Sequence, residues 1–177
     1  DYVDAFPPIT DQEIIDCLTS VIKLAREDPN IIILYGNHEL SYLYPHYRAS
    51  GYRKSIAPII YQLLTDNKDL FKWYYFDSGT LFTHAGINWK WLEQSKLRIK
   101  ERYPEFDFND ITELLDFMQE NSLGLDLLCQ CGEARGGFRY DHGGILWCDK
   151  EELIKAPFFD DKIYCQVVGH TATKDIE

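Results

Sequence analysis

The sequence predicts an α/β fold, and three observations carry that prediction. A helical apolar period from Ile14 to Ala25 is followed at once by the apolar run Ile31-Ile32-Ile33-Leu34, which makes the second half of a strand–helix–strand unit. Two β-rich runs, Lys72–Phe76 and Thr80–Thr83, are joined by Asp77-Ser78-Gly79, a hairpin turn signal. Two further apolar runs, Ile145–Cys148 and Ile163–Val168, come after a long helical stretch and read as the last strands.

Taken in order, residues 1–4 are expected to leave a strand end, and Phe6-Pro7-Pro8 is a rigid link. Thr10 caps a helix, with Glu13 three residues on to complete a capping box. Ile14, Ile15, Leu18, Val21, Ile22 and Ala25 keep the helical period to about residue 27, where Asp28-Pro29-Asn30 stops it. The strand Ile31–Tyr35 runs into Gly36-Asn37-His38-Glu39, and a short helix and loop follow through Arg53. Ser55–Leu64 is predicted as a helix, with Pro58 tolerated near its first turn. Asn88 to Tyr103 reads as an amphipathic helix, and Asn109 as the cap of another through Ile111, Leu114, Leu115 and Met118. Gly132–Gly144, rich in glycine, is predicted as an irregular loop.

Composition narrows the function classes. The chain has 177 residues, of which 45% are hydrophobic and 15% aromatic, which suits one globular domain. It carries 18 Lys+Arg against 29 Asp+Glu, a formal charge of −11. Nonspecific nucleic-acid binding needs clustered positive charge and is therefore not expected. A phosphorylated substrate is compatible, since a metal centre attracts phosphate locally. There is no apolar run of membrane-spanning length, and the acidic opening residues lack a signal-peptide pattern. Five cysteines form no disulfide framework, which predicts reduced thiols and a cytoplasmic setting. Cys129-Gln130-Cys131 has no second pair with which to build a zinc site.

The chemistry-bearing residues sit where apolar runs end. Ile31–Tyr35 ends in Gly36-Asn37-His38-Glu39, Leu81-Phe82-Thr83 ends in His84-Ala85-Gly86, and Val167-Val168-Gly169 ends in His170. Asp1-Tyr2-Val3-Asp4 opens the chain, and Ile145-Leu146-Trp147-Cys148-Asp149 precedes the last run. Singly, each residue also has a structural reading, as a turn Asn or a core His satisfied by backbone. As an ordered set they resemble the calcineurin-like metallophosphoesterases, most closely the phosphoprotein (serine/threonine) phosphatase branch. That branch orders its motifs as GDxH, GDxVDRG, GNHE, a strand-ending His before Gly, and a late His.

The resemblance implies the superfamily's β-sandwich flanked by helices (αββα) and a single metallophosphoesterase domain over 1–177; residues 88–130, which match none of its motifs, read from their helical patterning as a helical insertion or cap. The resemblance implies two divalent metal ions, manganese first, with iron or zinc as alternatives. Asp1 matches the bridging carboxylate, while Asn37, His84 and His170 match the second metal's ligands. One carboxylate, one amide oxygen and two imidazoles suit those metals better than magnesium. His38 matches the general acid and Asp4 the carboxylate that orients it. The expected reaction is hydrolysis of a phosphate ester by a dimetal-bridging hydroxide. The expected substrate is a phosphorylated protein or a small phosphate ester, with no nucleic-acid or membrane partner. The family's first metal motif has no counterpart here, so a further strand ahead of Asp1, and others after His170, are expected.

Two departures stand out. Ala5 stands where the family has the Arg of GDxVDRG, and Tyr35 where Arg often precedes Gly-Asn-His-Glu. The phosphate clamp must then come from Arg48, Arg53, Arg135 or Arg139. Arg135 is preferred, because Gly136-Gly137 beside it permits close approach. These departures resemble bacterial and phage-type members with broader ester scope. Two other functions stay open: a dinucleoside polyphosphate hydrolase or phosphodiesterase, and a catalytically inactive interaction module with the same fold.

Overall fold

The computed structural model describes residues 1–3, 9–44 and 46–172 and is mixed α/β. The chain divides into two compact units, Asp1–Trp73 and Tyr74–Glu177. Among the described residues, no helix is long and apolar enough to cross a membrane.

In the first unit, α1 (Asp11–Glu27) starts where the capping box predicts. The Thr10 hydroxyl accepts from the Glu13 amide, and Glu13 accepts from the Thr10 amide at 2.7 Å. Its apolar stripe, Ile14, Leu18, Ile22 and Ala25, is buried. Fully burying each of the larger side chains stabilises by about 2 kcal/mol. The strand that follows is shorter than its apolar run. β1 covers only Ile33–Leu34 and pairs in parallel with β2 (Phe71–Lys72), with Ile33 opposite Phe71 and Leu34 opposite Lys72. The pairing extends one bond further, because the Tyr35 amide donates to the Lys72 carbonyl at 2.8 Å. Lys72 therefore belongs to this pair and not to the predicted Lys72–Phe76 strand. The parallel strands are connected through α2 (Asn37–Leu43) and α3 (Ala57–Asp66). The Tyr35 ring stacks on Phe71 at 5.1 Å, and burial pushes its phenol up to about 12. Residues 1–3 form no strand.

The second unit is built on the predicted hairpin. β3 (Tyr74–Asp77) and β4 (Thr80–Thr83) pair antiparallel, with Asp77 opposite Thr80. Only Ser78 and Gly79 lie between them, at φ 48° and 80°. Positive φ at both turn positions matches the right-handed twist of the arms. β5 (Cys165–Val167) joins the far side of β4 in parallel, with Leu81 opposite Gln166. Tyr164 covers the turn, its hydroxyl donating to the Ser78 carbonyl at 2.5 Å.

The span 88–130 forms three helices: α4 (Trp89–Arg102), α5 (Ile111–Glu120) and α6 (Ser122–Leu128). Asn88 caps α4, accepting from the Lys90 and Trp91 amides. Asp110, not Asn109, caps α5. The Asp110 carboxylate accepts from Thr112 and Glu113 amides at 2.9 and 3.1 Å, while Asn109 turns its own donors to Glu113. Ile145–Cys148 is a buried turn and not a strand. The Gly144 carbonyl accepts from both Trp147 and Cys148 at 2.9 and 2.8 Å, which closes the backbone on itself. The last helix, α7 (Lys150–Lys155), is capped by Asp149.

Candidate functional site

In the first unit, the stretch after β1 starts α2 one residue beyond Gly36. Asn37, His38 and Glu39 therefore occupy the first helical turn, and all three are buried. Gly36 has φ −103°, an ordinary extended value, so backbone freedom does not explain the glycine. Space does: a Cβ there would lie 2.1 Å from Asp1 Oδ1 and 2.7 Å from Glu39 Oε2. The His38 amide donates to Asp1 Oδ1 at 3.3 Å. This brings three of the predicted residues, Asp1, Asn37 and His38, to one helix start, where the first-turn amides and the helix dipole favour an anionic oxygen. Asp4 lies outside the described residues, and with it the predicted Asp4–His38 dyad.

Glu39 is the residue that sequence reasoning passed over. Its carboxylate is fully buried and accepts from three amides: Tyr2 at 2.5 Å, Val3 at 3.2 Å and Gly36 at 2.8 Å. The signal was present, since Glu at the third helical position after the N-cap is the reciprocal half of a capping box. Glu39 thus ties the 1–3 segment to the loop that carries Asn37 and His38.

In the second unit, His84 follows β4 and His170 follows β5. The parallel pairing of those strands brings the two rings together. His84 Nε2 and His170 Nδ1 are 2.8 Å apart, across 86 residues of sequence, with ring centroids at 4.8 Å. The backbone fixes this approach, since the amides of Gly169 and His170 both donate to the His84 carbonyl at 2.9 Å. Trp147 packs edge-on against His170 at 5.9 Å. Gly86 has φ 100°, and its amide donates to the buried Thr83 hydroxyl at 2.9 Å, so the chain turns sharply just past His84.

Arg135 ends a single 3₁₀ turn, Glu133–Arg135. Its Nε is ion-paired with Asp149 Oδ2 at 2.9 Å, and its Nη2 donates to the Thr171 hydroxyl, next to His170. Of the other candidate arginines, Arg53 is held by Asp11 at 2.7 Å and by the Ile9 carbonyl at 2.6 Å, a structural role. Arg48 lies over the Tyr52 ring, and Arg139 is exposed.

Within the second unit, two imidazole nitrogens converge, a donor pair of the kind that borderline divalent metals take. Comparison of the chain with protein-family models, curated proteins and solved structures finds no match in any of the three.

Proposed function

We propose that the chain is a metal-dependent phosphoester hydrolase acting on a phosphorylated protein or a small phosphate ester. The observation that carries the reading is the His84–His170 pair, since two strand-ending histidines singled out by motif order lie ring to ring at 2.8 Å. On this reading His84 and His170 serve as metal ligands in the second unit, and Asn37 and Asp1 as metal ligands in the first. Two divalent ions, manganese first, with iron or zinc as alternatives, would supply charge to offset the phosphoryl oxygens and to acidify a water nucleophile.

The chain's own residues supply the remainder. His38 delivers a proton to the leaving oxygen, with Asp4 as its orienting carboxylate. Its position is set by α2, whose first turn Glu39 and Asp1 hold through backbone bonds. Arg135, anchored by Asp149 and Thr171, keeps further guanidinium N–H groups with which to hold a phosphate oxygen.

The test is hydrolysis of an aryl phosphate with added manganese, alongside calorimetric titration of manganese. His38→Ala should lower kcat by on the order of a hundredfold or more while leaving metal binding intact. Asn37→Ala, His84→Ala and His170→Ala should each weaken metal binding. Activity that survives both His38→Ala and Asn37→Ala would overturn the assignment.

A further inference from the structure

Helix α4 carries two arginines that the proposed chemistry does not use. Arg98 and Arg102 are four residues apart and so share a helix face. With Glu101 and with Leu123 of α6, they line a cleft of about 340 Å³. The Arg98 guanidinium lies over the Tyr140 ring, 5.2 Å from its centroid.

Among the described residues, Arg98 and Arg102 make no ion pair and no hydrogen bond, and Arg98 Nη1 is buried without a partner. Arg26, Arg53 and Arg135 each pair with a carboxylate, at 2.6, 2.7 and 2.9 Å; Arg102 is exposed and Arg98 half-buried, so the buried Nη1 of Arg98 is the donor that calls for an acceptor. Glu101, between the two on the same helix, bridges neither. A guanidinium carries five donors in a fixed fork, and buried donors are nearly always satisfied.

We propose that the Arg98–Arg102 cleft binds a small tetrahedral oxyanion of the phosphate class, separately from the residues assigned to hydrolysis. Two forks on one helix face supply charge-assisted donors to separate oxygens of the same anion. Leu123 supplies the apolar part of the lining, and the cleft stays open to solvent. Glu101 leaves the lining with one net positive charge, so its carboxylate opposes the anion and restrains affinity.

The test is a titration of the full chain with inorganic phosphate, in EDTA so that metal-dependent binding does not contribute, read on the side-chain Nε–Hε resonances of ¹⁵N-arginine-labelled protein. The Arg98 and Arg102 signals should shift together and saturate. Arg102→Gln should weaken binding about tenfold, the loss of one charge-assisted hydrogen-bonding partner. Glu101→Gln should tighten it. Lys100→Gln removes the same charge from the same helix outside the cleft, where Lys100 pairs with Asp107 at 3.3 Å, and should leave the affinity unchanged. Shifts that rise linearly without saturation, or equal weakening by Arg102→Gln and Lys100→Gln, overturn the proposal. Hydrolysis and manganese binding do not enter this readout, so the two readings stand or fall separately.

Discussion

Replacing Glu39 by Gln tests the internal logic of the Gly36–Glu39 loop without altering its volume. The carboxylate is fully buried, and its two oxygens accept from three amides, Tyr2 and Val3 on Oε1 and Gly36 on Oε2. An amide side chain has only one acceptor oxygen. If that oxygen faces Tyr2 and Val3, the new NH₂ points at the Gly36 N–H; if it faces Gly36, two amides lose their acceptor. At least one charge-assisted bond is lost in either orientation, and those that remain become neutral. With each such bond contributing about 1.5–3 kcal/mol, the expected loss is roughly 3–4 kcal/mol. That is a large fraction of the ~5–15 kcal/mol that holds a typical domain folded. In urea, with a slope of about 2 kcal/mol per molar, the unfolding midpoint should fall by roughly 1.5–2 M. A shift below about 0.3 M would mean that the three amides are satisfied without Glu39, and the account of this loop would be wrong.

Four other outcomes are expected. Asn88→Ala removes both the α4 cap and the bond that Asn88 Nδ2 donates to the Glu152 carbonyl at 2.6 Å; it should cost about 2 kcal/mol, read by thermal unfolding, whereas Asn88→Asp should retain most of the cap. Gly124→Ala puts a methyl 2.2 Å from the Met118 carbonyl and should destabilise by about 1–3 kcal/mol, against the near-neutral effect or small gain that helix propensity alone predicts. Thiol reactivity at pH 8 should separate exposed Cys17 and Cys165, which react in the native state, from buried Cys129 and Cys148, which react only after unfolding. Burial, then Glu152 and Asp149, push the Cys148 thiol up to about 12 from a usual value near 9.0. Its folded value therefore lies above its unfolded one, and its contribution to stability is complete below pH 9 and lost as pH rises towards 12. Alkaline unfolding should set in across that window and be blunted in Cys148→Ala. A stability profile unchanged by that substitution would contradict the assignment.

Local signals were legible in the sequence wherever one interaction decides the conformation. Thr10 and Glu13 fixed the start of α1, and the periodic stripe fixed its buried face. The turn at Ser78-Gly79 specified the hairpin register by itself. The histidines were legible as a set because each ends an apolar run beside a glycine. What stayed hidden depends on partners distant in the chain. The four apolar residues Ile145–Cys148 satisfy a strand and a buried turn equally well, and the two bonds to the Gly144 carbonyl decide between them. β2 was merged with β3 because Trp73, which separates them, is as apolar as its neighbours. Asn109 and Asp110 are both good caps, and Glu113 decides between them by drawing away the Asn109 donors. For Glu39 the local half was legible, as the third helical residue after Gly36, and the distant half was not, since Tyr2 and Val3 lie more than thirty residues away.

The parallel pairing of β5 with β4 also sets an order of assembly. β3 and β4 are joined by two residues and can zip together in microseconds, whereas β5 must be captured from across the helical segment, against a much larger loss of chain freedom. A strand that docks late onto the margin of a sheet is also an early one to peel away. Because His170 is delivered by β5 while His84 already stands on the hairpin, the imidazole pair comes into being only at that final docking step. Amide exchange at Gly169 and His170, whose N–H groups bond the His84 carbonyl, would then record how often the pair comes apart in the otherwise folded protein.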